Sequence, residues 1–291
     1  MKERIKLLLL GCIIILASIY IVDGPIVAEE KQEKQEKQEK QEKQEKQEKQ
    51  EKQEKEKEEA FKLPKNVLSI SKENTFPNTS EDFEVIEPSK MTKELLDGVD
   101  IPVDNPDLIK LLNESTIKPT PIAFGYRAHV YLGRWPLNYQ SENTSVIWDY
   151  DPINKNELNN IGGDVVQEIR YVQQNQKETK GALTNKIEHP EIIKKMMLQK
   201  ATKKTNLPLS FSTVVGTNTK LDNFYNVPTK KIGYLHAFSP AVNEKGKITF
   251  GEVYIQLKGS EKEIVIKNVT KQGIGAWIPI QDHVSFSFQL K

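Results

Sequence analysis

Between Lys230 and Leu290 the chain alternates apolar and polar residues, one segment after another, with only short breaks between segments. A strand points successive side chains to opposite faces, so this period of two specifies half-buried β-strands. The terminal H-V-S-F-S-F-Q-L-K is one of them, with Val284, Phe286, Phe288 and Leu290 on the core side. Upstream, K-I-G-Y-L-H-A-F and K-I-T-F-G-E-V-Y-I-Q-L-K flank Asn243-Glu244-Lys245-Gly246. That spacing predicts a hairpin turn in which Gly246 takes a positive φ. The second of these strands changes phase, because Ile248 and Phe250 are even-numbered while Val253, Ile255 and Leu257 are odd-numbered. The break predicts a β-bulge at Gly251-Glu252. A further turn, Gly259-Ser260-Glu261-Lys262, leads into I-V-I-K-N-V. Connections this short favour antiparallel pairing, since a parallel return needs a crossover of about a dozen residues.

Earlier parts of the chain supply the helices and more strands. Ser89–Asp97 reads as a short helix with Met91, Leu95 and Leu96 on one face and Gly98 as its stop. Asn105-Pro106 caps a second, with Leu108, Ile109, Leu111 and Leu112 buried. His189-Pro190 opens a longer helix over Glu191–Thr205, whose stripe is Ile192, Ile193, Met196, Met197 and Ala201 and whose other face is lysine. Strands are expected at Ile122–Leu132, Ser145–Tyr150, Val165–Gln173 and Leu209–Val215. The proline-punctuated stretch Phe61–Glu87 reads as extended segments wrapping the core. Strands outnumber helices and are not interleaved with them as βαβ units require. The expected class is α+β, a large antiparallel sheet curled towards a barrel or a sandwich with a few packed helices, formed by residues 61–291.

Two segments precede that body. Lys2, Arg4 and Lys6 are followed by sixteen uncharged, mostly apolar residues, Leu7–Val22, which is the pattern of an export signal. Residues 1–28 are therefore expected to act as a signal peptide, cut after Ala28, or as an uncleaved membrane anchor, with the rest of the chain outside the cytoplasmic membrane. Cys12, the single cysteine, lies inside the apolar run in Leu9-Leu10-Gly11-Cys12. That is the place of a lipoprotein processing box, although ten more uncharged, mostly apolar residues follow it. Residues 29–60 hold Lys-Gln-Glu repeated eight times. With Ala60 at their end as the one apolar residue, they have no seam for a coiled coil and nothing to bury. Glu33 four residues before Lys37, and its repeats, favour helix by about 0.2–0.5 kcal/mol per pair, so the expected form is a disordered or partly helical charged stalk.

What the chain lacks is equally restrictive. The body carries no cysteine, hence no disulfide, thiolate nucleophile or cysteine metal site. It has no G-x-S-x-G, H-E-x-x-H, P-loop or dinucleotide glycine fingerprint, and its four histidines are not at ligand spacing. No cofactor and no metal is expected. Residues 61–291 carry a formal charge of +3, spread along the chain without a basic stripe, so nucleic acid is not an expected partner. Only four of the forty-two basic residues are arginine, which suggests a low-GC genome.

The segments F-K-L-P-K-N-V-L-S-I-S-K-E-N-T-F-P-N (61–78), N-P-D-L-I-K-L-L-N-E-S (105–115), L-G-R-W-P-L-N-Y (132–139), N-E-K-G-K-I-T-F-G-E-V-Y (243–254) and K-N-V-T-K-Q-G-I-G-A-W-I-P-I-Q-D-H (267–283) resemble the YfkD-like proteins of Bacillus-type spore formers. The likeness spans nearly all of residues 61–290 and excludes the stalk. It implies an exported protein of a low-GC Gram-positive bacterium and brings no catalytic residue with it.

Four side chains stand out as ligand-binding candidates. Arg127 and His129 point from one face of a strand, either as a site for an anion or a general base, or as the solvated face opposite Phe124, Tyr126, Ala128 and Val130. Trp135 in G-R-W-P and Trp277 in G-I-G-A-W-I-P sit beside glycine and proline, either as platforms for a glycan or peptide or as indoles closing the ends of the sheet. Asp149 and Asp151 pair as carboxylates or as turn chemistry. Asp282 and His283 are adjacent, so on a strand they point apart. His236, on an apolar strand, reads as a core histidine. The expected role is a non-catalytic binding or scaffolding module for an envelope component. The alternative is an envelope hydrolase on wall or peptide material using Asp149, Asp151 or His129.

Overall fold

The computed structural model describes residues 63–70, 86–117 and 127–291. The expected signal or anchor with Cys12, the Lys-Gln-Glu stalk, most of the expected wrapping segment and the strand start at Ile122–Tyr126 lie outside them. The elements in order are β1 (Val67–Ser69), α1 (Lys90–Asp97), α2 (Pro106–Glu114), β2 (Arg127–Asn159), β3 (Gln167–Val172), β4 (Lys177–Lys180), β5 (Ala182–Leu183), α3 (Pro190–Thr205), β6 (Ser212–Val215), β7 (Lys220–Val227), β8 (Ile232–Lys258), β9 (Glu261–Pro279) and β10 (His283–Leu290).

The spine is β8. Along one edge it pairs antiparallel with β2 over its full length, from Arg127↔Lys258 to Asn159↔Ile232. Two strands share its other edge end to end, β10 against Gly233–Phe238 and β9 against Ala241–Lys258. β1 adds to β10 and β5 to β9, all antiparallel, and the sheet stays open rather than closing into a barrel. Two small antiparallel sheets, β3–β7 and β4–β6, accompany it. The class is the α+β architecture with a large antiparallel sheet that the alternation requires.

The expected hairpin at Asn243–Gly246 is absent. β8 runs through it, with Gly246 opposite Ser141 on β2 and Ile274 on β9. Gly246 has no positive φ. What it needs is space, since a Cβ there would lie 2.1 Å from the Gln140 carbonyl oxygen and 2.7 Å from the Tyr139 ring. The two strands expected at Ile122–Leu132 and Ser145–Tyr150 are likewise one strand of 33 residues. Its prolines are tolerated because register shifts fall beside them, between Pro136 and Asn138 and between Pro152 and Asn154. Pro240 of β8 sits where β10 gives way to β9 and where β2 skips from Ile147 to Asp151. The turn at Gly259-Ser260 is present, with Gly259 at φ +60. So is the bulge at Gly251, where the register passes from Phe250↔Thr270 to Glu252↔Lys267.

Three apolar clusters line β8. In the middle, α3 sets Ile193, Met196, Met197 and Ala201 on Val242, Ile248, Phe250, Ala276 and Ile278. Full burial of the isoleucine, methionine, valine and phenylalanine side chains among these is worth about 1.5–3 kcal/mol each. At the start of β8, Ile169, Tyr171 and Val227 of β3 and β7 meet Leu235, Ala237, Val284 and Phe286. Near the β8–β9 turn, Leu108 and Leu112 of α2 meet Leu137, Val253 and Ile264, with Leu95 and Leu96 of α1 against them. Ser89 caps α1 by accepting from the Thr92 N–H at 3.2 Å, and Asn105 caps α2 by accepting from those of Asp107 and Leu108. Ion pairs Lys195–Asp107 and Lys200–Asp104 tie the lysine face of α3 to the start of α2.

Single positions depart from the expected pattern. Met91 and Leu111 are exposed, and Thr92 is the buried residue of α1. Leu290 is exposed as β10 runs off the end of its core. His236 is half-buried beside Phe238, on the face opposite Leu235 and Ala237, so it is not a core histidine.

Candidate functional site

The G-R-W-P segment of β2 and the Gly251 bulge meet directly, because Trp135 is the partner of Gly251 and Arg134 that of Glu252. On the other edge of β8 the bulge leaves Asn268, at φ 51, and Val269 of β9 opposite Gly251. A bulge re-aims the groups beside it. Here it turns the Asn268 carbonyl and the Thr270 hydroxyl towards Arg134, whose Nη1 and Nη2 donate to them at 3.4 and 2.7 Å. Nε of Arg134 lies 3.4 Å from Oε2 of Glu188, and its guanidinium carbon lies 5.4 Å from the centre of the Phe250 ring. Three of the five guanidinium N–H groups are thus engaged among the described residues, leaving two for a ligand.

Around this guanidinium is an open cleft of about 390 Å³, lined by Arg134, Lys186, Ile187, Glu188, Phe250 and Gln272. One wall is Lys186–Glu188, the loop that leads into α3. His189, in the left-handed conformation at the helix start, stacks on Trp135 at 5.9 Å and 9°. Its Nε2 lies 3.1 Å from the Arg134 carbonyl oxygen, which requires Nε2 to carry the proton. The Trp135 indole N–H donates to the Leu132 carbonyl at 2.9 Å, folding the ring over Gly133, which has φ +114. The cleft therefore offers cations at Arg134 and Lys186, one carboxylate at Glu188, an aromatic floor and an amide, a set suited to holding a polar group with an apolar shoulder. Among the described residues no group of three or more acidic, histidine or cysteine side chains is placed to hold a metal ion.

None of the expected site residues lines this cleft; Trp135 follows Arg134 in the chain and packs against the Leu108–Leu137 cluster. Trp277 lies opposite Asn243, roughly 25 Å further along β8, and stacks on Tyr150 at 5.5 Å and 20°. The two indoles do not form one platform. Arg127 and His129 pair with Lys258 and Gln256 at the far end of β8, both exposed, in the row that continues into the Tyr131–Tyr254 ring contact. Asp151 accepts from Thr179 at 2.9 Å and lies 4.0 Å from Lys177, while Asp149 is exposed. Asp151 and His129 are separated by on the order of 50 Å of strand, since their β8 partners are Ser239 and Gln256. A hydrolase built on these groups needs them within one cleft.

Arg134, His189 and a buried polar cluster further along β8 carry no motif that marks them as site residues. Glu244 is fully buried, and its two oxygens accept from Tyr139 at 2.7 Å and from Thr144 at 2.6 Å. Burial, then the Glu244 bond, drives the Tyr139 phenol far above its ordinary pKa. The rarity of arginine was the signal for Arg134. The core parity Val242-Glu244-Gly246-Ile248 was the signal for Glu244.

An open antiparallel sheet with helices over its core clusters defines an α+β body, and the Arg134 cleft lies on that sheet. Residues 64–291 match the model of the YfkD-like protein family, and the chain belongs to that family. It is 57% identical over 230 residues to the uncharacterized protein YfkD of Bacillus subtilis (strain 168), covering 79% of this chain and 87% of that one. No solved structure matches the chain.

Proposed function

We propose that the chain is an exported cell-envelope protein whose folded body binds or scaffolds another envelope component outside the cytoplasmic membrane, without catalysing a reaction. The observation that carries this reading is the Arg134 cleft. It holds a guanidinium with donors to spare over an aromatic ring, and the stacked Trp135–His189 pair is tied to the Arg134 backbone next to it. These are anchoring groups for a polar polymer such as a glycan or peptide. The basic and apolar start of the chain supports export, and a body without cysteine suits a compartment where thiols oxidise.

The test is crosslinking of the full chain in its own envelope fraction, comparing wild type with Arg134→Gln. A defined adduct formed by wild type and lost in the variant, with both proteins melting at similar temperatures, supports the reading. An adduct indifferent to Arg134, or release of a cleaved product from wall material, overturns it.

A further inference from the structure

Ten large apolar side chains are exposed among the described residues, and four of them gather at one end of the sheet. Ile161, Val165 and Val166 are 56, 68 and 58% exposed, and Leu290 is 43% exposed. Scattered apolar residues are ordinary on a protein surface, whereas clustered ones mark contact sites. The first three belong to the loop from Asn160 to Val166, between β2 and β3. The loop is fastened rather than slack. Asn160, buried, donates from its side-chain amide to the carbonyls of Val165 and Val227, and Ile161 N–H donates to the Asn159 side chain. Gly163 closes the turn where a Cβ would lie 1.8 Å from the Asn160 side-chain oxygen. A rigid loop thus holds its apolar groups outward.

The neighbouring turn is basic. Asn160 N–H donates to the Lys231 carbonyl and Lys230 N–H donates to the Asn160 carbonyl, which sets exposed Lys230 and Lys231 directly beside the loop. Leu290 joins through Gly233 opposite it and through the reciprocal backbone bonds of Ile232 and Lys291. Asp164 is the one acidic residue in the loop. Apolar groups at a tip with lysines at its side are what an anionic lipid surface recognises, as the apolar groups enter the headgroup boundary and the ammonium groups meet phosphate. We propose that this end of the molecule docks on an anionic bilayer, as a contact separate from the Arg134 cleft and from the amino-terminal segment.

The test uses the full chain with Cys12→Ser and one reporter cysteine, Val166→Cys, carrying an environment-sensitive fluorophore. A control chain carries it at Lys245→Cys on the exposed row of β8. Vesicles of mixed phosphatidylglycerol and phosphatidylcholine should blue-shift the loop reporter and expose it to quenchers placed in the bilayer, leaving the control unchanged. Ile161→Ser with Val165→Ser should cut the bilayer-inserted population of the loop reporter at least tenfold, and Lys230→Gln with Lys231→Gln about fivefold per lysine on anionic vesicles. These side chains are exposed, so circular dichroism should show the variants folded. An unshifted loop reporter, an equal shift at the control position, or an equal loop-reporter shift on pure phosphatidylcholine overturns the proposal. So does a blue shift in buffer that grows with protein concentration, which assigns the tip to a second copy of the chain.

Discussion

The hydroxyl of Tyr139 on β2 donates to Oε1 of Glu244 on β8 at 2.7 Å, although the two residues are 105 positions apart. Thr144 donates to the other carboxylate oxygen at 2.6 Å, and Glu244 is 0% exposed. No lysine, arginine or histidine is ion-paired with Glu244 among the described residues. A carboxylate removed from water without a cation depends on such donors.

Tyr139→Phe should therefore lower stability by about 2 kcal/mol, the cost of removing a donor from a buried charged acceptor. Thr144→Val should act in the same direction. The double variant should depart from additivity, because both hydroxyls serve one carboxylate. Urea denaturation midpoints at neutral pH check all three. Losses under about 0.5 kcal/mol would show that the carboxylate does not depend on them.

Alkaline pH should destabilise the fold through the same phenol and through Tyr171. Burial raises both above the ordinary tyrosine pKa, with the Glu244 bond adding to the effect at Tyr139. The folded protein then keeps protons that the unfolded chain releases. The stabilising contribution is complete below about pH 10 and declines above it, by up to about 1.4 kcal/mol per pH unit for each tyrosine. Denaturation midpoints from pH 8 to 11.5 should fall, and Tyr171→Phe should make the fall shallower than in wild type.

Glycines separate into those that make room and those that do not. Gly246→Ala forces a Cβ into the Gln140 carbonyl and the Tyr139 ring and should cost several kcal/mol. At Gly273 nothing lies within 4 Å of a new Cβ and φ is not positive, so Gly273→Ala should be neutral or slightly stabilising. Thermal melts of the two variants read the difference directly.

That contrast shows how much of the fold was legible in the residues. Alternation gave the β8–β10 region, the phase change at Gly251 gave the bulge, and the Asn105-Pro106 pair gave a helix start with its side chain bonded as a cap. Strand length was hidden. Asn243–Gly246 has turn residues, yet Glu244 and Gly246 keep the core parity of Val242 and Ile248 and are held by partners on both edges. Met91 and Leu111 match a helical stripe but point past the edge of a narrow core, while Thr92 turns inward under the Ser89 hydroxyl. The cleft was illegible for a different reason. Arg134 and Thr270 are brought together by strand register and by a bulge, and Glu188 by the loop before α3, none of which leaves a local motif.

Next to the cleft, Trp135→Ala should remove the surface on which His189 stacks and, under the proposed function, reduce the capture assigned to that cleft, while the fold persists. Trp277→Ala should instead lower stability by about 2 kcal/mol through loss of its stacking on Tyr150, without selectively weakening capture. Crosslinking yield and melting temperature, measured side by side, distinguish the two indoles.

The reading of the chain as an exported envelope module is tested most directly by protease treatment of intact, wall-stripped cells that make the full-length protein. External trypsin should cut the lysine-rich repeat and release or digest residues 61–291, while a cytosolic marker stays whole. A body that survives until the membrane is lysed, and is then cut as readily as the marker, would contradict the account.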